Sequence, residues 1–330
     1  MNKLAYIYTD YDNLVVLNVY LSVIKDGLEQ AGYKCAYIKS LENVKKDDLI
    51  VFSTAKDVFL NWFKGYHNVI LWQQGIAGEE SYMRNHSVAR KAVLNFMDCF
   101  AMKKAKIIFF VSDYMKQYYE KMAHTDFSGK CYIMPCFNER LDEDMLSKKD
   151  YSKKTFAYVG SLSVWQCFEE TAELYSAIEN SMENTSFKVL TFNVDEAVKI
   201  LKEKNVKNYT VKCVPQERVR EELADVSFGF IIRKDVEVNR VATPTKISSY
   251  LAAGVLPIYS ACLRDFHRHA LGKAFACPVD CCNHIKNISD FINNNADKTL
   301  IDSEIHTLFR TYYSGEYHAK KISALCREQL

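Results

Sequence analysis

Short apolar runs alternate with longer amphipathic segments along the chain, and this alternation restricts the fold more than any other feature. In the first half, Leu4–Tyr8, Leu49–Phe52 and Val69–Trp72 have the length and composition of buried strands. Helical patterns lie between these runs. Strands that alternate with helices form parallel sheets covered by helices on both faces. The sequence therefore predicts an α/β protein.

A polar, charge-dense segment, Asn138–Lys154, separates two series of such elements. A chain of 330 residues accommodates two domains of ordinary size, and domain boundaries fall in polar segments of this kind. We predict a first domain over 1–140, a linker over 141–154 and a second domain over 155–330.

The composition is that of a soluble globular protein, with 48% hydrophobic and 25% charged residues. A formal charge of +2 provides no general attraction to nucleic acid. The eleven cysteines include no Cys-x-x-Cys pair, and the sequence shows no secretion signal, so reduced thiols in the cytoplasm are expected. A Gly-x-Gly-x-x-Gly motif is absent, which argues against a dehydrogenase, and no metal-ligand spacing is found. We expect no bound metal and no resident cofactor.

The segment Thr243–Gly254 has the pattern of a helix with a polar start. Thr243 is a predicted N-cap, and Pro244 suits the first helical position. The helix start presents free N–H groups beside Lys246, which favours anion binding. The alternative is an ordinary capped helix without a ligand.

The strand Asp225–Arg233 ends in a charge. Ligands of parallel sheets bind at the carboxyl ends of strands, so Arg233 and Lys246 are predicted to neutralise a diphosphate. The alternative for Arg233 is a surface ion pair. Asn239 and Arg240 lie in the loop that follows.

Another strand ends at Gly160-Ser161, where a small residue allows a phosphate to approach backbone N–H groups. The alternative is a tight turn between a strand and a helix. Trp165 follows, and either stacks on a base or sugar or packs within the domain.

Two loops of the first domain follow predicted strands, Thr9–Asn13 and Gln73–Glu80. The second contains Glu79 and Glu80, for which a solvated helix start is the alternative to a binding role. Further on, Ser112 is predicted to cap a helix over Asp113–Ala123.

A helix predicted over Met83–Lys104 has an apolar stripe flanked by basic residues. We predict that this stripe faces the core, with a solvated basic rim. A membrane-surface helix, and with it a weak peripheral membrane contact, is the alternative. The stripe consists of Val88, Ala92, Val93, Phe96, Met97 and Phe100.

Several of these segments resemble retaining glycosyltransferases of family 4, which have the GT-B fold. Pro-Thr-Lys-Ile-x-x-Tyr-Leu-Ala-x-Gly-x-x-Pro-Ile, from Pro244, is similar to the family's nucleotide-sugar segment. Leu162-Ser-Val-Trp-Gln and the loop Gln73–Glu80 also match family patterns. Three positions depart. Ser249 and Val241 stand where the family has glutamates, and Gln74 stands where it has a histidine. The resemblance implies two facing Rossmann-like domains, with a last helix that crosses back to the first domain.

The resemblance also implies transfer of a hexose from a nucleotide-diphosphate sugar, UDP- or GDP-linked, to a glycan or lipid-linked acceptor. The setting it implies is capsule, O-antigen or exopolysaccharide assembly, in the cytoplasm or at the inner face of the plasma membrane. Catalytic roles fall on Arg233, Lys246 and Gln74, the last without acting as a base because an amide does not titrate. The implied donor-binding residues are Gly160, Ser161, Trp165, Asn239, Arg240, Thr243, Pro244, Thr245 and Ser249. The implied acceptor-binding residues are Asp10, Tyr11, Gly75, Glu79 and Glu80.

Two alternatives remain open. A nucleotide-sugar 2-epimerase of the same fold needs carboxylates and a histidine around the sugar ring, and no matching set is evident in the sequence. A non-catalytic GT-B partner with a degenerate donor site is favoured by Ser249 and Gln74. Nucleotide binding and product analysis distinguish these alternatives from a transferase.

Overall fold

The structure is a computed structural model that describes residues 3–9, 15–279, 284–294 and 297–330. The chain divides into two compact units. Unit 1 comprises Met1–Asn138, Arg240–Thr243 and Arg310–Leu330, and unit 2 comprises Glu139–Asn239 and Pro244–Phe309. The domain limits predicted from the sequence stay a prediction.

Unit 1 contains a six-stranded parallel sheet in the order β2-β1-β3-β4-β5-β6. Its central strands are buried along their whole length, because helices cover both faces of the sheet. The strands are β1 Lys3–Tyr8, β2 Tyr33–Ile38, β3 Leu49–Phe52, β4 Val69–Gln73, β5 Ile107–Phe110 and β6 Cys131–Ile133. The helices that follow them are α1 Val15–Gln30, α2 Ala55–Trp62, α3 Ala77–Asn85, α4 Val88–Lys104 and α5 Asp113–Ala123.

Unit 2 contains a second six-stranded parallel sheet, in the order β12-β11-β10-β7-β8-β9. The strands are β7 Thr155–Val159, β8 Ser186–Leu190, β9 Tyr209–Lys212, β10 Phe228–Ile231, β11 Leu256–Ser260 and β12 Cys277–Val279. The helices of this part of the chain are α6 Glu143–Ser147, α7 Phe168–Ser181, α8 Val194–Glu203, α9 Gln216–Glu222, α10 Glu237–Arg240, α11 Thr245–Ala252, α12 Arg264–Ala270, α13 His284–Asn294 and α14 Lys298–Arg310. Short 3-10 turns lie at Ser128–Lys130 and Val164–Gln166. The predicted alternation of strands and helices in an α/β chain is confirmed.

The predicted cap of α5 is also confirmed. The Ser112 hydroxyl accepts a hydrogen bond from the Met115 N–H at 3.0 Å. The same hydroxyl donates to the carbonyl of Val241 at 2.6 Å, so this cap also holds the short segment Arg240–Thr243 within unit 1.

The prediction for Met83–Lys104 is wrong in two respects. His86 adopts a left-handed conformation, with φ of 51°, and ends α3, so that α4 is a separate helix. The apolar stripe does not face the core, since Val88, Val93 and Phe96 are 69%, 58% and 62% exposed. The buried side of α4 consists instead of Asp98, Ala101 and Met102. Within the part of the chain that the structure describes, no helix is long and apolar enough to span a bilayer.

The last helix, α15 Gly315–Gln329, packs on α1 inside unit 1. The two helices meet at Gly27, where an added Cβ would lie 2.5 Å from Ile322 Cγ2 and 3.1 Å from the Ala319 carbonyl oxygen. Only a residue without a side chain permits so close an approach.

We expect Gly27→Val to lower the free energy of unfolding of unit 1 by about 1–3 kcal/mol, because the new methyl groups force α1 and α15 apart. Urea unfolding measures the change. Adding Ile322→Ala to this variant should recover part of the loss. Gly129→Val is the matched control, since no described atom lies within 4 Å of a Cβ at that position. Equal destabilisation by both valines would contradict the packing argument.

Candidate functional site

Neighbouring strands of unit 2 bring the predicted anion-binding residues to one edge of the sheet. β7 and β10 pair in parallel, so Gly160 after β7 and Arg233 after β10 both lie near the carboxyl edge. The start of α11 brings Lys246 to the same place, because an added Cβ at Gly160 would overlap the Lys246 ammonium.

Arg233 and Lys246 share one neutral partner, Gln166. Arg233 donates from Nη1 to the Gln166 backbone carbonyl at 3.0 Å and from Nη2 to Gln166 Oε1 at 2.9 Å. The Lys246 ammonium donates to the same Oε1. The Arg233 backbone is held by the Ser260 hydroxyl, which accepts from its N–H at 2.9 Å. The side-chain amide of Gln166 therefore sets the separation of the two cations.

No carboxylate in the described ranges forms an ion pair with either cation. Arg233 is 8% exposed, and burial lowers the pKa of its guanidinium. Burial and the nearby charge of Arg233 hold the pKa of Lys246 well below its ordinary value. The Lys246 ammonium also lies 5.0 Å from the centroid of the Tyr158 ring. Two neighbouring cations without a carboxylate partner in the described ranges have the charge and geometry that suit a multiply charged anion.

Gly160 is required by the same geometry. Its φ of 142° is in the region that favours glycine. A side chain at this position would occupy the space of the Lys246 ammonium. The small residue predicted from the sequence is therefore necessary, although the group it accommodates is Lys246.

The predicted cap at Thr243 is wrong. α11 begins at Thr245 with Pro244 as its N-cap residue, and no side chain caps the helix. The Thr243 hydroxyl instead accepts from the Cys136 N–H at 2.9 Å, within unit 1. Because Pro244 has no side-chain acceptor, α11 begins beside Lys246 without a side-chain cap.

Three other predicted donor-binding residues, Ser249, Asn239 and Ser161, are hydrogen-bonded within the unit to which they belong. The Ser249 hydroxyl donates to the Thr245 carbonyl of its own helix at 3.3 Å. Asn239 is buried, and its amide donates to the Lys234 carbonyl at 2.9 Å. The Ser161 and Ser163 hydroxyls are 2.9 Å apart. Trp165 is half-buried in the 3-10 turn Val164–Gln166. Arg240, like Thr243, belongs to unit 1.

Unit 1 contains a cavity of about 430 Å³ beside the loop that follows β4. Three of the predicted residues, Gln74, Gly75 and Glu80, line it. The Gln74 amide donates to the Ser53 carbonyl at 3.1 Å. Glu79 is engaged elsewhere, in an ion pair with Lys91 at 2.6 Å. Asp10 and Tyr11 lie outside the described residues.

Asp98 of α4 lies in the wall of this cavity, and sequence reasoning missed it. It is 3% exposed, and the Tyr119 hydroxyl donates to its Oδ2 at 2.7 Å. Burial raises the pKa of Asp98 to about 6. Gln73 completes the network by donating to the Tyr119 hydroxyl at 2.9 Å and to the Gly75 carbonyl at 2.7 Å. The network therefore connects Asp98 to the backbone of the predicted acceptor loop.

Weak signals for the missed residues exist in the sequence. Asp98 is the one acidic residue within Val88–Lys104, in a helix that is otherwise mostly apolar or basic. Gln166 is part of the Trp-Gln pair of the second domain. Across the described ranges, no three His, Cys, Asp or Glu side chains are placed to hold a metal ion.

Comparisons with known proteins relate the chain to solved structures only. No family model matches the sequence, and no curated protein matches it either. Sucrose-phosphate synthase from Thermosynechococcus elongatus is similar with a TM-score of 0.69 at 11% identity, over 99% of this chain and 98% of that one. A glycosyltransferase from Rickettsia africae is similar with a TM-score of 0.68 at 10% identity, over 99% of both chains.

A third similar structure is a mutant of S. aureus TarM in complex with fondaparinux, α-GlcNAc-glycerol and UDP. The TM-score is 0.64 at 10% identity, over 96% of this chain, which spans 59% of the length of that TarM chain. At these identities the likeness establishes the fold alone. The chain has the GT-B fold, with two Rossmann-like α/β domains, and the predicted fold class is confirmed.

Proposed function

We propose that the chain is a glycosyltransferase that transfers a hexose from a nucleoside-diphosphate sugar to a glycan or lipid-linked acceptor. The observation that carries the proposal is the pair Arg233 and Lys246, two cations that share a neutral amide and lack a carboxylate partner in the described ranges. A diphosphate supplies the missing negative charge. The similar TarM structure contains UDP, which supports a UDP-sugar, with a GDP-sugar as the second candidate.

In the proposed reaction the bond between the sugar and the diphosphate breaks, and negative charge develops on the departing diphosphate. Arg233, Lys246 and the positive end of the α11 helix dipole stabilise this charge. The acceptor oxygen forms the new bond to the anomeric carbon while a phosphate oxygen of the donor accepts its proton, and the anomeric configuration is retained. This proposal requires no side-chain base at Gln74, which instead positions its loop through the Ser53 carbonyl.

We place the acceptor in the cavity of unit 1. Glu80 and Asp98 offer carboxylate oxygens there, and Gln74 offers an amide, a combination that suits the hydroxyl groups of a sugar. The resemblance noted above points to capsule, O-antigen or exopolysaccharide assembly, in the cytoplasm or at the inner face of the plasma membrane.

A second candidate is a non-catalytic GT-B protein. The observation that favours it is the Ser249 hydroxyl, which is bonded to the carbonyl of its own helix where the resembling family uses a glutamate for the ribose. Such a protein binds nucleotide weakly and forms no glycosidic product.

Thermal unfolding with UDP, GDP, CMP, dTDP and ADP tests the donor site. A nucleotide at a hundred times its Kd should add about 2.7 kcal/mol to the stability of unit 2. We expect a rise in Tm of roughly 5–10 °C with one diphosphate, and no rise with the matching nucleoside, which lacks the phosphates. No shift with any diphosphate would contradict the proposal, and a shift without transfer product would favour the non-catalytic protein.

A further inference from the structure

An exposed apolar surface extends over α2 and α4 in unit 1. We call it the α2–α4 face and define it by Leu60, Phe63, Val88, Val93 and Phe96, which are all exposed. An aromatic cluster supports it from below. The Phe63 ring stacks on Phe100 with centroids 5.6 Å apart, and Phe59 contacts the rings of Phe96 and Phe100 edge-on at 6.0 and 5.1 Å. Contiguous exposed apolar surface of this kind marks a binding site more often than scattered apolar residues do.

The charge around the α2–α4 face is mostly positive, with Asp57 of α2 and the ion pair of Lys91 with Glu79 as the exceptions. Over 84–106 the only acidic residue is Asp98, which is buried in the cavity wall and points away from solvent. Six basic residues lie in the same stretch, and Lys104 lies 5.3 Å from the centroid of the Trp62 ring. They are Arg84, Arg90, Lys91, Lys103, Lys104 and Lys106. The face is therefore an apolar patch with a basic rim.

We propose that the α2–α4 face binds the surface of a bilayer containing anionic lipids. Phe63, Val93 and Phe96 enter the boundary between headgroups and acyl chains, while Arg90, Lys103 and Lys104 contact lipid phosphates. A second copy of this chain is a poorer occupant, because a symmetric contact would bring the two basic rims together. An extended anionic surface matches both the apolar patch and the charge.

The position of the face has a consequence for the proposed reaction. α2 and α4 also supply Ala55, Leu94 and Met97 to the wall of the unit 1 cavity. Binding through this face therefore holds the cavity close to the bilayer, where a lipid-linked acceptor is carried. This step rests on the proposed function, whereas membrane binding itself does not.

Vesicle co-sedimentation of the full chain tests the proposal. We expect binding to phosphatidylcholine vesicles that contain about 30% phosphatidylglycerol, weaker binding in high salt, and little binding to phosphatidylcholine alone. The variant Phe63→Ser/Phe96→Ser should bind the anionic vesicles about tenfold more weakly or worse. The variant Lys103→Glu/Lys104→Glu, which keeps the aromatic residues, should lose on the order of 100-fold.

Matched controls change equally exposed residues of unit 2. Phe192 and Leu271 are 71% and 62% exposed, and Phe192→Ser/Leu271→Ser should bind as the unmodified chain does. Thermal unfolding verifies that each variant is folded. Absence of binding to anionic vesicles, or equal binding by all variants, would overturn the proposal. So would concentration-dependent self-association in sedimentation velocity that Phe63→Ser/Phe96→Ser abolishes. A failed nucleotide assay leaves these outcomes unchanged, so the two proposals are tested separately.

Discussion

Replacing Lys246 with methionine is expected to lower sugar transfer by about 10²–10³-fold or more, and at the same time to stabilise the nucleotide-free protein. Transfer falls because the departing diphosphate loses one of its two cations. The nucleotide-free protein gains about 1–3 kcal/mol, because the Lys246 ammonium is desolvated and repelled by Arg233. Activity with a UDP-sugar and thermal unfolding without nucleotide measure the two effects.

Arg233→Ala should reduce sugar transfer as strongly as Lys246→Met does. Unlike Lys246→Met, it should lower the stability of the nucleotide-free protein. Its guanidinium also donates to the backbone carbonyls of Gln166 and Ile232, which lose a partner in the variant. Lys234→Met is the matched control. This neighbouring lysine pairs with Glu170 at 2.6 Å, so we expect its replacement to leave transfer unchanged. Full transfer by Lys246→Met would remove the proposed mechanism.

The pH dependence of nucleotide binding provides a second measurement on the same residue. The pKa of Lys246 is lowered in the folded, nucleotide-free protein, whereas the pKa of a lysine in the unfolded chain is about 10.4. Between these two values the unfolded state binds more protons, so stability without nucleotide rises with pH. A bound diphosphate favours the ammonium form, so binding in this window should take up a proton. Calorimetry in buffers of different ionisation enthalpy detects that proton, and Lys246→Met should abolish the uptake.

The second large effect is expected at Asp98. Burial raises its pKa to about 6 in the folded protein, above the value of about 3.9 for an unfolded aspartate. The stability associated with its protonated form is complete below about pH 4 and is lost as the pH rises to about 6. Asp98→Asn should therefore be more stable than the parent chain at pH 7, by up to about 3 kcal/mol, and the two should converge at about pH 4.

Urea unfolding at several pH values measures this difference, with the exposed Asp47→Asn as the control in the same unit. Parallel stability curves for the parent chain and Asp98→Asn would show that Asp98 does not titrate in this window. If the acceptor binds in the cavity, Asp98→Asn should also raise KM for the acceptor, because a carboxylate oxygen is lost, and the thermal shift with UDP should remain. A normal acceptor KM would exclude Asp98 from the acceptor site.

The fold was predictable because the strands of a doubly covered parallel sheet are continuous apolar runs. Leu49–Phe52 and Ile107–Phe110 are buried at every residue, so no alternation with polar residues obscures them. The meeting of Arg233 and Lys246 was predictable for a related reason, since the carboxyl ends of parallel strands share one edge. Both conclusions follow from periodicity and chain order.

The predictions that were wrong concern side chains that can bond to, or pack against, more than one partner. Thr243 has the residue type of an N-cap, yet its hydroxyl binds the Cys136 N–H, which is 107 residues away in sequence. The apolar stripe of α4 has the spacing of a core-facing helix, yet the residues of α4 that are buried are Asp98, Ala101 and Met102. Helical spacing groups residues on one face but does not specify what covers that face.

The amino-acid sequence by itself determined the two α/β sheets and the arrival of two cations at one sheet edge, because both depend on local periodicity and on the order of elements. Only the tertiary structure decided that Gln166 bonds to both cations, that Asp98 is buried beside the loop that follows β4, and that the apolar side of α4 faces solvent. These features depend on contacts between residues far apart in the chain. Since desolvation and partner choice arise only when the chain is packed, no local pattern encodes them.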